Sequence, residues 1–313
     1  MRIAYHLLDV FTDQPLAGNP LAVVLDADGL DAERMQAIAR EFSLSETVFV
    51  TAPRDPVNTA RLRIFTPALE LPFAGHPTIG AACLIARTRA PDMIGRQPLR
   101  LVLEEQIGPV VCEAVRFQGA LRARFIAPKQ PEWCGTLNDR GAIAAALGLG
   151  EADIGFDAHE PVLASAGLPF AFVPVGSLAA LNRIAPDFSR FGAAFQFERP
   201  AAFIYTRETV DPAHHVQARV FVQSPSKDGR LAIPCGLGAH EDPATGSAAS
   251  AFAAVAVKFE QPEDGEHTIV IEQGFVMGRP SQIALTMHVV EGALVETSVG
   301  GACVTVGEGF LTF

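Results

Sequence analysis

Cysteine is scarce in this chain and poorly spaced for chemistry. The 313 residues include five (Cys83, Cys112, Cys134, Cys235, Cys303), widely scattered and with no Cys-x-x-Cys. An odd, dispersed set argues against a disulfide framework and against a thiolate zinc site. The expectation is a cytoplasmic protein with reduced, mostly buried thiols. Histidine does not fill the gap: His214 and His215 are adjacent, would point apart on a strand, and have no His-x-x-x-His or acidic cluster beside them. No metal is expected. Gly-x-Gly-x-x-Gly after a strand and the P-loop are missing too, which removes the dinucleotide and nucleotide readings. Cations are outnumbered, 24 Lys+Arg to 35 Asp+Glu, for a net charge of -11. A surface of that sign repels phosphate backbones, so no nucleic-acid partner is expected. Long apolar runs are absent as well. Asp9 interrupts the first one, which argues against a signal peptide. The most apolar later stretch, Ala248 to Val257, falls far short of the roughly 20 residues a membrane span needs, so no membrane partner is expected.

What is present is ample material for a core. Hydrophobic residues make up 49% of the chain and charged ones only 19%, which excludes disorder. At roughly 150 residues per domain the length suits two domains. Ile3 to Phe11 and Leu21 to Leu25 read as strands joined through the Pro15–Pro20 turn. Asp31 can cap a helix through Phe42 with Met35, Ile38, Ala39 and Phe42 on one face. Ser43 to Val50 reads as strand, which puts Glu46 on the face of Val48 and Val50, a costly place for a carboxylate unless it faces a pocket. Strands follow at 61–66, 99–103 and 110–117. After a change of texture near residues 119–131 a helix at 139–147 precedes further strands at 169–175, 201–206, 219–223, 269–273 and 282–290, then a short C-terminal strand. Many strands with few helices indicate an α+β protein.

The second half loosely repeats the first, and at one place the repeat is sharp. Glu70-Leu71-Pro72-Phe73-Ala74-Gly75 and Glu241-Asp242-Pro243-Ala244-Thr245-Gly246 share Glu-x-Pro-x-x-Gly, and each leads into a run of small residues. Small residues let strands close around a helix, so each helix is expected inside a curved sheet. A pseudo-twofold relation would bring two helix N-termini to one cleft. Their unpaired N–H groups and partial positive charge would bind a small anionic substrate without Arg or Lys. Gly75 and Gly246 admit close approach of a ligand. Around them stand His76, Asp242, Ser247 and Glu46, groups suited to acid–base work. Taken singly each has a plainer reading: Ser247 as a helix cap, Asp242 as a cap or ion-pair partner, His76 as a turn residue.

In combination they are more specific. Asp9-Val10-Phe11-Thr12 with Gly18-Asn19-Pro20, Ser45-Glu46-Thr47-Val48-Phe49, Ala74-Gly75-His76-Pro77-Thr78, Glu241 to Ala248, and Gly278-Arg279-Pro280-Ser281 are five ordered blocks spread over the chain. The sequence resembles the PhzF family of phenazine-biosynthesis-like isomerases, relatives of diaminopimelate epimerase. The resemblance implies a diaminopimelate-epimerase-like fold of two similar domains with the active site between them, a homodimer, and a cofactor-free isomerase in which Glu46 moves a proton. His76 and Asp242 would act with it, and Ser45, Gly75, Gly246 and Ser247 would contact substrate. The prototype substrate is dihydro-3-hydroxyanthranilate. The expected boundaries are 1–118 and 119–299, with 300–313 returning to the first domain. Gln223 to His240 looks longer than the family's usual connection and reads as an insertion.

Two alternatives stand beside this. The related epimerases place a cysteine before the glycine of each loop; here those positions are Ala74 and Thr245, so an epimerase or racemase would need non-cysteine bases. A non-catalytic protein that keeps the fold and binds a small anion or a partner is the other.

Overall fold

The computed structural model describes residues 2–197, 201–223 and 240–313. Positions 224–239 of the expected insertion, and Cys235 with them, lie outside the described residues. The chain divides into two compact units, residues 1–128 with 298–313, and residues 129–297 for the described part of the second.

In the first unit β1 (Arg2–Val10), β2 (Asn19–Val24), α1 (Ala32–Phe42), β3 (Thr47–Thr51), β4 (Ala60–Phe65), β5 (Glu70–Leu71), α2 (Gly75–Arg89), β6 (Leu99–Glu105), β7 (Gly108–Phe117) and β8 (Ala120–Ile126) follow one another. The second unit contains β9 (Glu132–Thr136), α3 (Arg140–Leu147), β10 (Val162–Ser165), β11 (Pro169–Pro174), α4 (Leu178–Arg183), α5 (Phe191–Phe195), β12 (Ala201–Thr206), β13 (Val216–Val222), β14 (His240–Asp242), α6 (Gly246–Glu260), β15 (Gly265–Gln273) and β16 (Ser281–Val290). The last strand, β17 (Ala293–Thr312), starts in the second unit and from Ser298 belongs to the first, where it pairs with β8 and then β1. Among the described residues no helix is long and apolar enough to cross a membrane.

Each unit wraps its sheet around one helix. In α2 every residue from Gly75 to Ala86 is buried, and the helix packs against β1, β2, β3, β6, β7 and β8. Such a helix has no polar face to show; its small residues serve close approach instead. A Cβ on Gly80 would stand 2.4 Å from Leu21 Cδ2, closer than non-bonded atoms can come. Helix α6 is built the same way, buried through most of Gly246 to Ala256 and packed against β9, β10, β11 and β16. α1 is the ordinary case: Asp31 caps it by accepting the Arg34 N–H at 2.8 Å, and only Met35, Ile38 and Ala39 are buried.

Strand registers make the two units copies of each other. β2–β3 pair in parallel and β3–β4 antiparallel, as do β11–β12 and β12–β13. β4 and β6 run parallel through Ala60↔Leu103, as β13 and β15 do through Val216↔Ile271. By these registers Arg63 corresponds to Arg219, Phe65 to Phe221 and Glu70 to Glu241. At the far ends, Glu104 accepts the Arg54 and Asp55 N–H groups and the Asn58 amide, while Glu272 accepts the Val210 and Asp211 N–H groups and bonds His214 Nδ1.

Three expectations change. β8, which a boundary at residue 118 assigns to the second domain, pairs with β7 and β17 and therefore lies in the first unit. The C-terminal strand is long, 20 residues, because it serves both units in turn. Ser43 to Glu46 is not strand. Ser43 ends α1 at φ 54, and β3 starts only at Thr47. β3 is buried on both faces from Thr47 to Val50, so alternation carries no information about where Glu46 points.

Candidate active site

The N-termini of α2 and α6 differ from those of the other long helices. α1 and α3 are capped by aspartates, Asp31 and Asp139. α2 follows Ala74 and α6 follows Thr245, and neither residue gives a side-chain cap. The Thr245 hydroxyl donates to Asp242 Oδ2 at 2.5 Å instead. Neither helix is therefore capped by the side chain of its own N-cap residue.

The glutamates of the shared Glu-x-Pro-x-x-Gly are braces. Arg63 clasps Glu70 through two hydrogen bonds of 2.7 Å, and Arg219 clasps Glu241 through bonds of 2.9 and 2.8 Å. Each guanidinium also lies over the phenylalanine two residues on, Phe65 or Phe221. The bidentate pair orients the loop that enters each central helix.

In the first unit the loop delivers His76 against Glu46. His76 is 4% exposed, its Nε2 lies 3.4 Å from Glu46 Oε2, and its Nδ1 lies 3.2 Å from the Asn19 amide nitrogen. The separation from Glu46 would suit an ion pair, but burial pushes the imidazole pKa down to about 3. A neutral ring beside a carboxylate is the consistent description. At 3.4 Å the contact is longer than the roughly 3 Å of a mature N–H···O bond, as catalytic contacts without substrate often are.

In the second unit the same loop holds Asp242, 8% exposed. The fully buried Gln273 organises it: Nε2 donates to the Asp242 carbonyl at 2.7 Å and to Thr245 Oγ1 at 3.0 Å, while Oε1 accepts the Thr245 N–H at 3.0 Å. Thr245, in turn, holds the Asp242 carboxylate. Gly246 is buried and Ser247 partly buried in the first turn of α6, so Ser247 is not its cap. Ser45 is partly buried in the connection before Glu46.

The structure therefore brings Glu46, His76 and Gly75 together in the first unit and Asp242, Gly246 and Ser247 in the second. Sequence reasoning missed Gln273, Thr245 as a holder of Asp242, and the contact of Asn19 with His76. Asn19 did stand in a recognised block, but only the fold pairs it with a residue 57 positions on. Register gives the counterparts: Asn19 corresponds to Leu168, Glu46 to Ala201 and His76 to Ser247. The ionisable pair exists in one copy only.

The thiols are elsewhere. Cys83 and Cys112 are fully buried, and burial raises both well above the ordinary thiol range; neither stands at a loop, where the residues are Ala74 and Thr245. Among the described residues no group of three or more His, Cys, Asp or Glu is arranged to hold a metal ion.

Residues 8–309 match the family model described as phenazine biosynthesis-like protein. The chain belongs to the PhzF family. It is 46% identical, with 98% of each chain covered, to an uncharacterized isomerase of Mesorhizobium japonicum. It is also 34% identical to a trans-2,3-dihydro-3-hydroxyanthranilate isomerase of Pseudomonas aeruginosa, covering 98% of this chain and 99% of that one. Among solved structures it is similar to a PhzF-family phenazine biosynthesis protein of Bacillus anthracis, with a TM-score of 0.85, 26% identity and full coverage of both chains. This PhzF-family chain has the α+β fold of the epimerase superfamily and is an enzyme of isomerase type.

Proposed function

We propose that the enzyme shifts a proton within a small unsaturated carboxylic acid, with Glu46 as the single acid/base and no cofactor. The observation that carries the proposal is the asymmetry of the copies: Glu46 and His76 meet in the first unit, while their counterparts are Ala201 and Ser247. An inversion at carbon generally uses a group on each face, whereas a shift along one face needs one. Glu46 would take a proton from a carbon activated by conjugation and return it to another carbon on the same side. His76, with the N–H groups at Gly75, would stabilise the charge that develops. Asp242, Ser45, Gly246 and Ser247 are proposed to bind and orient the substrate, as the resemblance implies.

The relatives named as trans-2,3-dihydro-3-hydroxyanthranilate isomerases support a cyclic, unsaturated amino acid as the first substrate to try. A homodimer is proposed as the assembly from the family resemblance, and the cytoplasm as the location from the scattered cysteines. The epimerase alternative would have to find its second base somewhere other than the second copy of the Glu46 position.

The test is turnover of trans-2,3-dihydro-3-hydroxyanthranilate in deuterated water, wild type beside Glu46→Gln. Loss of a positioned acid/base costs about 10² to 10⁴ in rate, so the variant should be nearly inactive while still binding the substrate. Equal rates for the two proteins would remove Glu46 from the mechanism. A folded wild type that leaves this acid unchanged would point to a different substrate for the isomerase.

A further inference from the structure

The turn that carries Asn19 is held in a demanding shape. Asp9 Oδ2 accepts the Leu16 N–H across it at 2.6 Å. Phe11 and Leu16 both occupy the left-handed region, at φ 64 and 65, which L residues adopt only at a cost in strain. Gly18, at φ +65, could not be another residue, because a Cβ there would stand 2.4 Å from the Val10 carbonyl oxygen. The product of this architecture is one fully buried amide, Asn19, with Nδ2 3.2 Å from His76 Nδ1.

A neutral imidazole has one N–H and one acceptor nitrogen, and the partner of one nitrogen decides the state of the other. An amide nitrogen can only donate. His76 Nδ1 must therefore accept, which places the ring proton on Nε2, the nitrogen 3.4 Å from Glu46 Oε2. In the opposite tautomer a lone pair on Nε2 would face the carboxylate.

We propose that Asn19 is a positioning residue that locks His76 in its Nε2–H tautomer, so that a neutral imidazole aims the Glu46 carboxylate. The inference rests on the reading of Glu46 as the acid/base. It draws independent support from the second copy. There the connection is far shorter, Ser165 pairing with Pro169, but a glycine at positive φ again precedes the equivalent position in Gly167-Leu168-Pro169. The amide is absent where the imidazole is absent: Leu168 corresponds to Asn19 and Ser247 to His76. The Gly-x-Pro step is thus common to both copies, while the amide and the long turn that holds it go with the acid–base pair.

The experiment is long-range ¹H–¹⁵N correlation of the full chain labelled at histidine, with His76 assigned by comparison with His76→Gln. The wild type should show a protonated Nε2 and an acceptor Nδ1. Asn19→Asp, whose carboxylate can only accept, should move a proton onto Nδ1. On trans-2,3-dihydro-3-hydroxyanthranilate the same variant should lose about tenfold or more in kcat with little change in KM. A wild-type ring protonated on Nδ1, or an Asn19→Asp ring unchanged from wild type, overturns the proposal. The wild-type spectrum needs no substrate and no variant other than the His76→Gln protein used for assignment. The expected tautomer together with an active Glu46→Gln would uphold the lock and remove only the role of Glu46.

Discussion

Glu105 and Gln273 occupy the same place at the ends of equivalent strands, β6 and β15, and each reaches the first turn or cap of its unit's central helix. Gln273 bonds Thr245 with an amide. Glu105 bonds the Thr78 hydroxyl at 2.7 Å, and that hydroxyl also lies 2.7 Å from the Ala74 carbonyl. One hydroxyl hydrogen cannot serve both acceptors. A protonated Glu105 that donates to Thr78 satisfies the arrangement, and burial pushes its pKa up to about 8.

From this follows a pH-dependent cost of folding. Glu105 stays neutral in the native protein between its ordinary pKa of 4.5 and about 8, while the unfolded chain ionises it. Stability is therefore lost across that window at roughly 1.4 kcal/mol per pH unit, and the loss ends above pH 8, where both states are ionised. Glu105→Gln copies the second unit and removes the slope. Urea unfolding from pH 5 to 9 should show the variant gaining on wild type up to about pH 8, with the difference between them constant beyond it. Parallel curves throughout would mean that Glu105 is ionised in the native state.

His76 is expected to stay neutral throughout the range in which enzymes are ordinarily assayed. Its pKa is depressed to about 3 by burial, so the stability linked to its neutral form is complete above 6.5 and declines as pH falls from 6.5 toward 3. Histidine ¹H–¹⁵N spectra between pH 5 and 8 should show no titration of this ring. A midpoint near 6.5 would contradict the buried neutral imidazole.

The two arginine–glutamate braces should matter for stability to a similar degree. Glu70→Ala and Glu241→Ala each leave a largely buried guanidinium without its bidentate acceptor, 17% exposed in Arg63 and 8% in Arg219. The expected loss is about 1–3 kcal/mol apiece, larger for Glu241 because its partner is the more buried. Chemical denaturation of the two variants measures this. A Glu241→Ala protein as stable as wild type would show that the brace is dispensable.

Much of the fold was legible before any coordinates. Asp31 followed by Met35, Ile38 and Ala39 marks α1, and the paired Glu-x-Pro-x-x-Gly loops mark the starts of α2 and α6. Each is a local signal, carried by neighbouring residues and one kind of periodicity. Glu46 shows where such reasoning stops. Its position was deduced from alternation along a strand expected from Ser43, whereas the strand starts at Thr47, just after Glu46, and is buried on both faces.

The absence of metal- and nucleotide-binding patterns from the sequence and the internal repeat were settled by residue order, because each depends on residue types at fixed spacing. The contact of Asn19 with His76, the passing of Thr245 from helix cap to holder of Asp242, and the opposed chemistry of Glu105 and Gln273 were settled by packing. The hydrogen bonds involved join residues 57, 3, 27 and 28 positions apart in the chain, and even the shortest depends on a third residue, Gln273, from another strand. Hydrogen bonds between buried side chains form only where the folded chain brings donor and acceptor within about 3 Å, and no spacing along a sequence encodes that distance.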